Sequence, residues 1–324
     1  MAMHQSRFLS FAFIAFALLV LAAHLSAATS PHWTVVNQPG RLVNGTPVLF
    51  RVTTSKSVRA LSGTWLAHEI VFSFDASGEP AKHESATQKS SMHKSWFALA
   101  GVSLETKPGT YPLELRAETS SDQSAGESAG QSTVQTISFE KKIRVQRQRY
   151  PRVSLTVPPR FTAPSPEDQR QIEQDKEIKA EAFKTLSTVR EWEGSFSAPV
   201  NAEISDVFGV ERVFNGTVES THQGLDFRVP TGTQVEAVND GRVILAQPLF
   251  FEGNFVVIDH GQGLLTLYLH LSKFLVKAGD DVKKGQQIAL SGGTGRATGP
   301  HLHLAVRWQG VYLNPQVLLQ LQLP

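Results

Sequence analysis

Cysteine is absent from all 324 residues. That excludes disulfides and thiolate metal sites, so any metal must be held by His, Asp or Glu. A surplus of charge is missing too: 31 Lys and Arg face 29 Asp and Glu, for a net charge of +2. With no dense basic patch, nucleic acid is excluded as the main partner. No HExxH motif occurs, so the glutamate base of that class of metalloprotease is absent. Long apolar runs are missing apart from one, Phe8 to Ala23.

That run follows Arg7 and precedes the small residues Ser26-Ala27-Ala28. The pattern is a secretory signal over residues 1–28 with cleavage near Ala28. Left uncleaved it would be a membrane anchor, although it is short for a span of about 20 residues. The expected location is the periplasm or cell envelope.

Residues 31–148 read as an immunoglobulin-like β-sandwich. Short alternating runs, among them Val48 to Val52, Trp96 to Leu99 and Tyr111 to Ala117, are separated by turn signals such as Asn44-Gly45 and Pro108-Gly109. The Ser/Gly/Gln-rich stretch from Ser120 to Ser132 reads as a loop between two strands. His32, His68, His83 and His93 lack paired spacing and are read as exposed or locally bonded.

Residues 149–195 read as a Pro-rich connector followed by a helix. Pro151, Pro158, Pro159 and Pro164 favour extended chain. Ser165-Pro166-Glu167-Asp168 has the N-cap, first-position proline and early acids of a helix start. Ile178, Ala182, Leu186 and Val189 form a stripe at helical spacing, which predicts an end near Trp192 to Gly194. From residue 196 to 318 the chain is β-patterned again, and the reading is a compact antiparallel β domain with a groove on one sheet.

Chemistry concentrates in this last part, where five of the eleven histidines fall between His222 and His303. In Gly299-Pro300-His301-Leu302-His303 the two imidazoles are two apart at the start of an apolar strand pattern. They would project from one face, one suited to a metal and one to acid/base work. In His222-Gln223-Gly224-Leu225-Asp226 the glycine and the following Phe227, Val229 and Pro230 favour extended chain. There His222 and Asp226 share a face, with Gly224 between them leaving room for an ion or a substrate backbone. Catalytic zinc takes about three protein ligands and one water. His222, Asp226 and His303 would supply two neutral imidazoles and one carboxylate, a formal +1 site suited to a negative tetrahedral intermediate. His270, from Tyr268-Leu269-His270, and His301 would then handle protons beside it.

The order HxGxD, YxHL, GPHLH resembles the M23 family of zinc metallopeptidases, the LytM/lysostaphin-type peptidoglycan endopeptidases. Phe208-Gly209, Asn215-Gly216, Asp240-Gly241, Asp259-His260-Gly261 and Thr294-Gly295-Arg296-Ala297-Thr298-Gly299 fit the same pattern. The match covers about residues 196–318. It implies His222, Asp226 and His303 as Zn2+ ligands and His270 and His301 as the catalytic pair. It also implies hydrolysis of peptide cross-links in bacterial peptidoglycan. Glu211 stands where relatives often carry one of two paired arginines, which bears on substrate contacts and not on the metal.

Arg212 and Asn215 precede His222 and are candidates for the substrate groove. His260, in a turn before Gly261, is read as a structural hydrogen bonder. The Val276 to Ala289 run resembles lipoyl- or biotin-carrier hairpins only as shared β architecture. The enzyme reading competes with a non-catalytic LytM-type regulator that activates another wall hydrolase, and with a plain wall-binding module. All five expected residues are present, which favours the enzyme. The partners expected are peptidoglycan peptide stems, and an envelope protein through the N-terminal β domain. The sequence does not give the bond cleaved: a D-Ala to diaminopimelate bridge is the expectation, with glycine bridges and non-wall peptides as alternatives.

Overall fold

From Phe50 onward burial alternates along the strand Pro47–Ser55: Phe50, Val52 and Thr54 point inward, and Arg51, Thr53 and Ser55 are half exposed. This is the period-two pattern of a sheet with one covered face. The structure, a computed structural model, describes residues 33–76, 93–120, 134–184 and 187–324. The predicted signal, most of the Ser120–Ser132 stretch, His32, His83 and Leu186 lie outside the described residues. Among the described residues no helix is long and apolar enough to cross a membrane.

The chain is mostly β, as predicted. The N-terminal region forms a four-stranded sheet, built on Thr34–Gln38, Pro47–Ser55, His93–Gly101 and Ser73–Phe74, and a five-stranded sheet. In the latter, Gly109–Ser120 and Val134–Gln146 pair antiparallel along their length. Phe50 and Trp65 meet edge to face at 5.3 Å between the sheets. The indole N–H of Trp65 donates to the Gly101 carbonyl at 2.9 Å, so burial leaves it satisfied. His68 lies 3.3 Å from the Gln309 side chain and His93 is exposed, in keeping with the unremarkable roles expected of them.

The connector holds more structure than its prolines suggest. Arg152–Leu155 is a parallel strand on Glu211–Phe214. Parallel pairing needs a distant partner, so nothing local signals it. Helix α1, Pro166–Ala182, begins as predicted with Ser165 and Asp168 in a reciprocal capping box. It ends earlier than predicted, at Ala182 with Phe183 as C-cap. The apolar spacing does continue, but through Ser187, Thr188 and Val189, which are poor helix formers. Val189 is exposed, so the stripe has nothing to bury there. Ile178, Ala182 and Phe183 pack on Leu245, Phe255, Val257 and Leu267 of the sheet below. Asp175 is buried under the helix and accepts the Phe250 N–H at 2.6 Å.

The C-terminal region is organised by an eight-stranded antiparallel sheet. Its central order is Gly224–Phe227, Leu302–Trp308, Leu264–Leu271, Gly253–Asp259, Gly241–Leu249. Its central strands are buried on both faces: one packs on the main core and the other on the smaller cluster beneath α1.

His260 bears out the structural reading. Its Nδ1–H donates to the Asp240 carbonyl at 2.6 Å, and Nε2 lies 2.7 Å from the Thr266 hydroxyl oxygen. Burial pushes its pKa from 6.5 down to about 4. The unfolded chain therefore takes up the proton first as pH falls. Stability is lost between about pH 6.5 and 4, by roughly 3 kcal/mol in full. Urea unfolding at pH 7 and pH 4.5 should show this drop in the wild type and a smaller one in His260→Gln. Equal drops would contradict the assignment.

Candidate metal centre

Strand register sets the first two groups. Asp226 and His303 are direct partners across the pairing of Gly224–Phe227 with Leu302–Trp308. Opposed residues share a face, and Asp226 Oδ1 lies 2.7 Å from His303 Nδ1. His222 sits in the turn between Val218–Thr221 and Gly224–Phe227, and its Nε2 is 3.0 Å from Asp226 Oδ1 and 3.1 Å from His303 Nδ1. All three residues are buried.

Gly224 serves a different purpose from the one read in the sequence. The space at its Cα is not left for an ion or substrate backbone but is taken by the imidazole of His303. A Cβ there would lie 2.3 Å from His303 Nε2 and 2.6 Å from the Leu304 carbonyl oxygen.

His270 reaches the site by a distortion. The pairing of Gly253–Asp259 with Leu264–Leu271 shifts register between Asn254 and Val256. Opposite that shift His270 adopts φ +62°, a left-handed conformation costly for a side chain of this kind. The bulge turns Leu269 and His270 to the same cleft. His301, just before its strand, forms an isolated bridge with Gly292. The ring centroids of His270 and His301 are 4.8 Å apart, and those of His270 and His303 are 6.0 Å apart. The five side chains singled out in the sequence thus meet in one place.

Proton positions follow from the carbonyls. His222 Nδ1–H donates to Val207 O at 2.7 Å, His270 Nδ1–H to Thr294 O at 2.8 Å, and His301 Nδ1–H to Gly299 O at 2.8 Å. A carbonyl can only accept, so each of these rings carries a proton on Nδ1, and in its neutral form leaves Nε2 as the acceptor. Burial pushes the His303 pKa down to about 4 against the pull of Asp226, and pushes His270 down to about 3, with His301 and His303 adding to the effect. Burial resists ionisation of Asp226, but His303 and His222 outweigh it and hold the carboxyl far below its usual range. His222 Nε2 and His303 Nδ1 thus both lie at hydrogen-bond distance from one carboxylate oxygen, Asp226 Oδ1, so two nitrogens and an oxygen converge on one point. The donor set fits a cation. His222, Asp226 and His303 are also the group among the described residues whose ligand atoms lie within 4.8 Å of one another.

Arg212 fixes the carboxylate from behind. Its Nη2 is 2.6 Å from Asp226 Oδ2 and 2.5 Å from Asp206 Oδ2, which leaves Oδ1 for the cluster. Such outer partners orient a ligand and tune its basicity. Asn215, the other groove candidate, is directed elsewhere: its amide donates to Val157 O and Thr162 Oγ1, tying the turn to the connector. Two clefts, of about 160 and 450 Å³, meet at His270, with His303 lining one and His301 the other. Their walls include Lys179 of α1 and Val153 and Leu155 of the connector strand, which sequence reasoning did not assign to the site.

Residues 220–315 match the model of peptidase family M23. The chain is 50% identical over 93 residues to peptidoglycan DD-endopeptidase ShyA of Vibrio cholerae, covering 29% of this chain and 22% of that protein. It is 52% identical over 85 residues to ShyB of the same organism, covering 26% and 20%. The chain thus spans about a fifth of the length of these relatives. A solved structure from Pseudomonas aeruginosa assigned to peptidase M23 superposes with a TM-score of 0.57 at 25% identity, over 86% of this chain and 95% of that one. Residues 220–315 are a domain of peptidase family M23.

The close approach at Gly224 sets a test. Gly224→Ala forces His303 or a paired backbone to move, so affinity for a divalent cation such as zinc should fall at least about tenfold and stability by about 1–3 kcal/mol. Calorimetric zinc titration and thermal unfolding would show both, and unaltered zinc affinity would contradict the geometry.

Proposed function

We propose that the protein is an exported zinc endopeptidase that hydrolyses peptide cross-links of bacterial peptidoglycan. The observation that carries this reading is the convergence of His222 Nε2, Asp226 Oδ1 and His303 Nδ1 beside two further imidazoles. The DD-endopeptidase relatives supply the substrate class, and the Phe8 to Ala23 run supplies the export signal.

His222, Asp226 and His303 would hold the ion. Zinc bound there supplies Lewis acidity toward a water molecule and the scissile carbonyl. The chain's own residues move the protons. His301 Nε2 accepts the proton of the attacking water and returns it to the departing amine as the C–N bond breaks. His270, pinned by Thr294 and buried, accepts a hydrogen bond from the same water at Nε2 and steers its lone pair. Arg212 keeps Asp226 ionised and aimed, and the apolar wall of Phe255, Leu267 and Leu269 limits solvent access.

Digestion of defined muropeptides, weighed by mass spectrometry with and without a chelator, tests the whole reading. Cleavage that stops on zinc removal and returns with zinc is expected. Absence of any cleavage by zinc-loaded protein would replace this reading with the non-catalytic regulator. His303→Ala should lose both zinc and turnover, and stoichiometric zinc in that variant would remove His303 from the ligand set. His301→Ala should retain zinc and lose about 10²-fold or more in kcat. Near-normal turnover would exclude His301 as the proton carrier.

A further inference from the structure

The loop Thr294–Gly299 carries a side chain that neither the fold nor the hydrolytic reading uses. Arg296 donates its backbone N–H to Phe251 O at 2.9 Å. Its guanidinium stacks over Phe214 at 4.6 Å and Phe251 at 4.8 Å. It lines both clefts, beside His270 in each, with His303 in one and His301 in the other.

The other inward cations are committed. Arg212 is paired with Asp206 and Asp226. Lys179 is paired with Glu252. Arg228, at the mouth, is exposed and solvated. Arg296 has no hydrogen-bonded acceptor for its five guanidinium donors among the described residues, and the ring faces supply only part of what water would. The guanidinium nitrogens are not sealed off and open on the clefts, where an anion can reach them. Glu252 is close enough to influence it; one oxygen of that carboxylate belongs to Lys179, and the other is buried without forming a hydrogen bond to Arg296. Across the two clefts the lining cations Lys179, Arg212, Arg228 and Arg296 outnumber the carboxylates Asp206, Asp226 and Glu252, before any metal is counted.

We propose that Arg296 anchors a substrate carboxylate, the one borne on the carbon that supplies the scissile amide nitrogen. This rests on the endopeptidase reading and narrows it. In a D-Ala to diaminopimelate cross-link, the carbon attached to the released nitrogen carries a free carboxylate. In a glycine bridge cut between two glycines it carries none. A planar guanidinium held between two rings presents a fixed edge of donors, matched to the two oxygens of a carboxylate. Arg296 therefore selects the first class of cross-link over the second. It also sets which side of the bond faces the Phe214–Phe251 end of the groove.

Two cross-linked peptides test this with the zinc-loaded full chain: the D-Ala to diaminopimelate link with the adjacent carboxylate free, and the same link with it amidated. Wild type should cleave the acid about 10–100-fold faster in kcat/KM. Arg296→Gln should bring that ratio close to one, with zinc content and melting temperature unchanged. Arg296→Lys, which keeps the charge and loses the fork, should fall between. Calorimetry with the released diaminopimelate peptide and its amide gives the same comparison without turnover. Tighter binding of the acid by wild type and not by Arg296→Gln is expected there. Equal handling of acid and amide by wild type, or a preference kept in Arg296→Gln, overturns the role of Arg296. Failure to cleave either peptide overturns the endopeptidase reading, and the binding comparison still decides Arg296.

Discussion

One short distance governs the site: His222 Nε2 and Asp226 Oδ1 are 3.0 Å apart in a buried place, with the Nδ1–H of the ring given to Val207. Arg212 holds the far oxygen of the carboxylate, and the near oxygen also meets His303. Burying such polar groups costs free energy unless each finds a partner, and here the partners are one another. The antiparallel register and the close approach at Gly224 keep those atoms from drifting apart.

The sheet acts as a ruler. Direct opposition of Asp226 and His303 is dictated by hydrogen-bonded pairing, so neither group can relax independently. By contrast, His270 depends on an irregularity: a bulge and a left-handed residue re-aim one side chain that a regular strand would send to the other face. His222 and His270 are each held by a separate loop, His222 through Val207 O and His270 through Thr294 O.

Much of this was legible in the residues. Period-two apolar runs with glycine punctuation marked the β regions, and Ser165 with Asp168 marked the start of α1. The five side chains that meet in the cluster stood out through spacing and the lack of rival ligands such as cysteine. What escaped was nonlocal. The end of α1 moved to Ala182 because docking of Ile178 and Phe183 ends there, which no window of sequence reports. Asn215 looked placed for the groove by proximity to His222, yet its amide turns to Val157. Arg296 passed as one letter in a glycine-rich loop, since its significance lies in two rings contributed from residues 214 and 251.

The parallel strand Arg152–Leu155 bears on how such domains can be recombined. It lies well before residues 220–315, which match the family model, yet Val153 and Leu155 form part of the wall next to His301. A module excised at that boundary would keep the clustered His and Asp side chains and lose one bank of the channel. Exchange of specificity between homologues is therefore best engineered with the junction upstream of Pro151, so that floor and wall travel together.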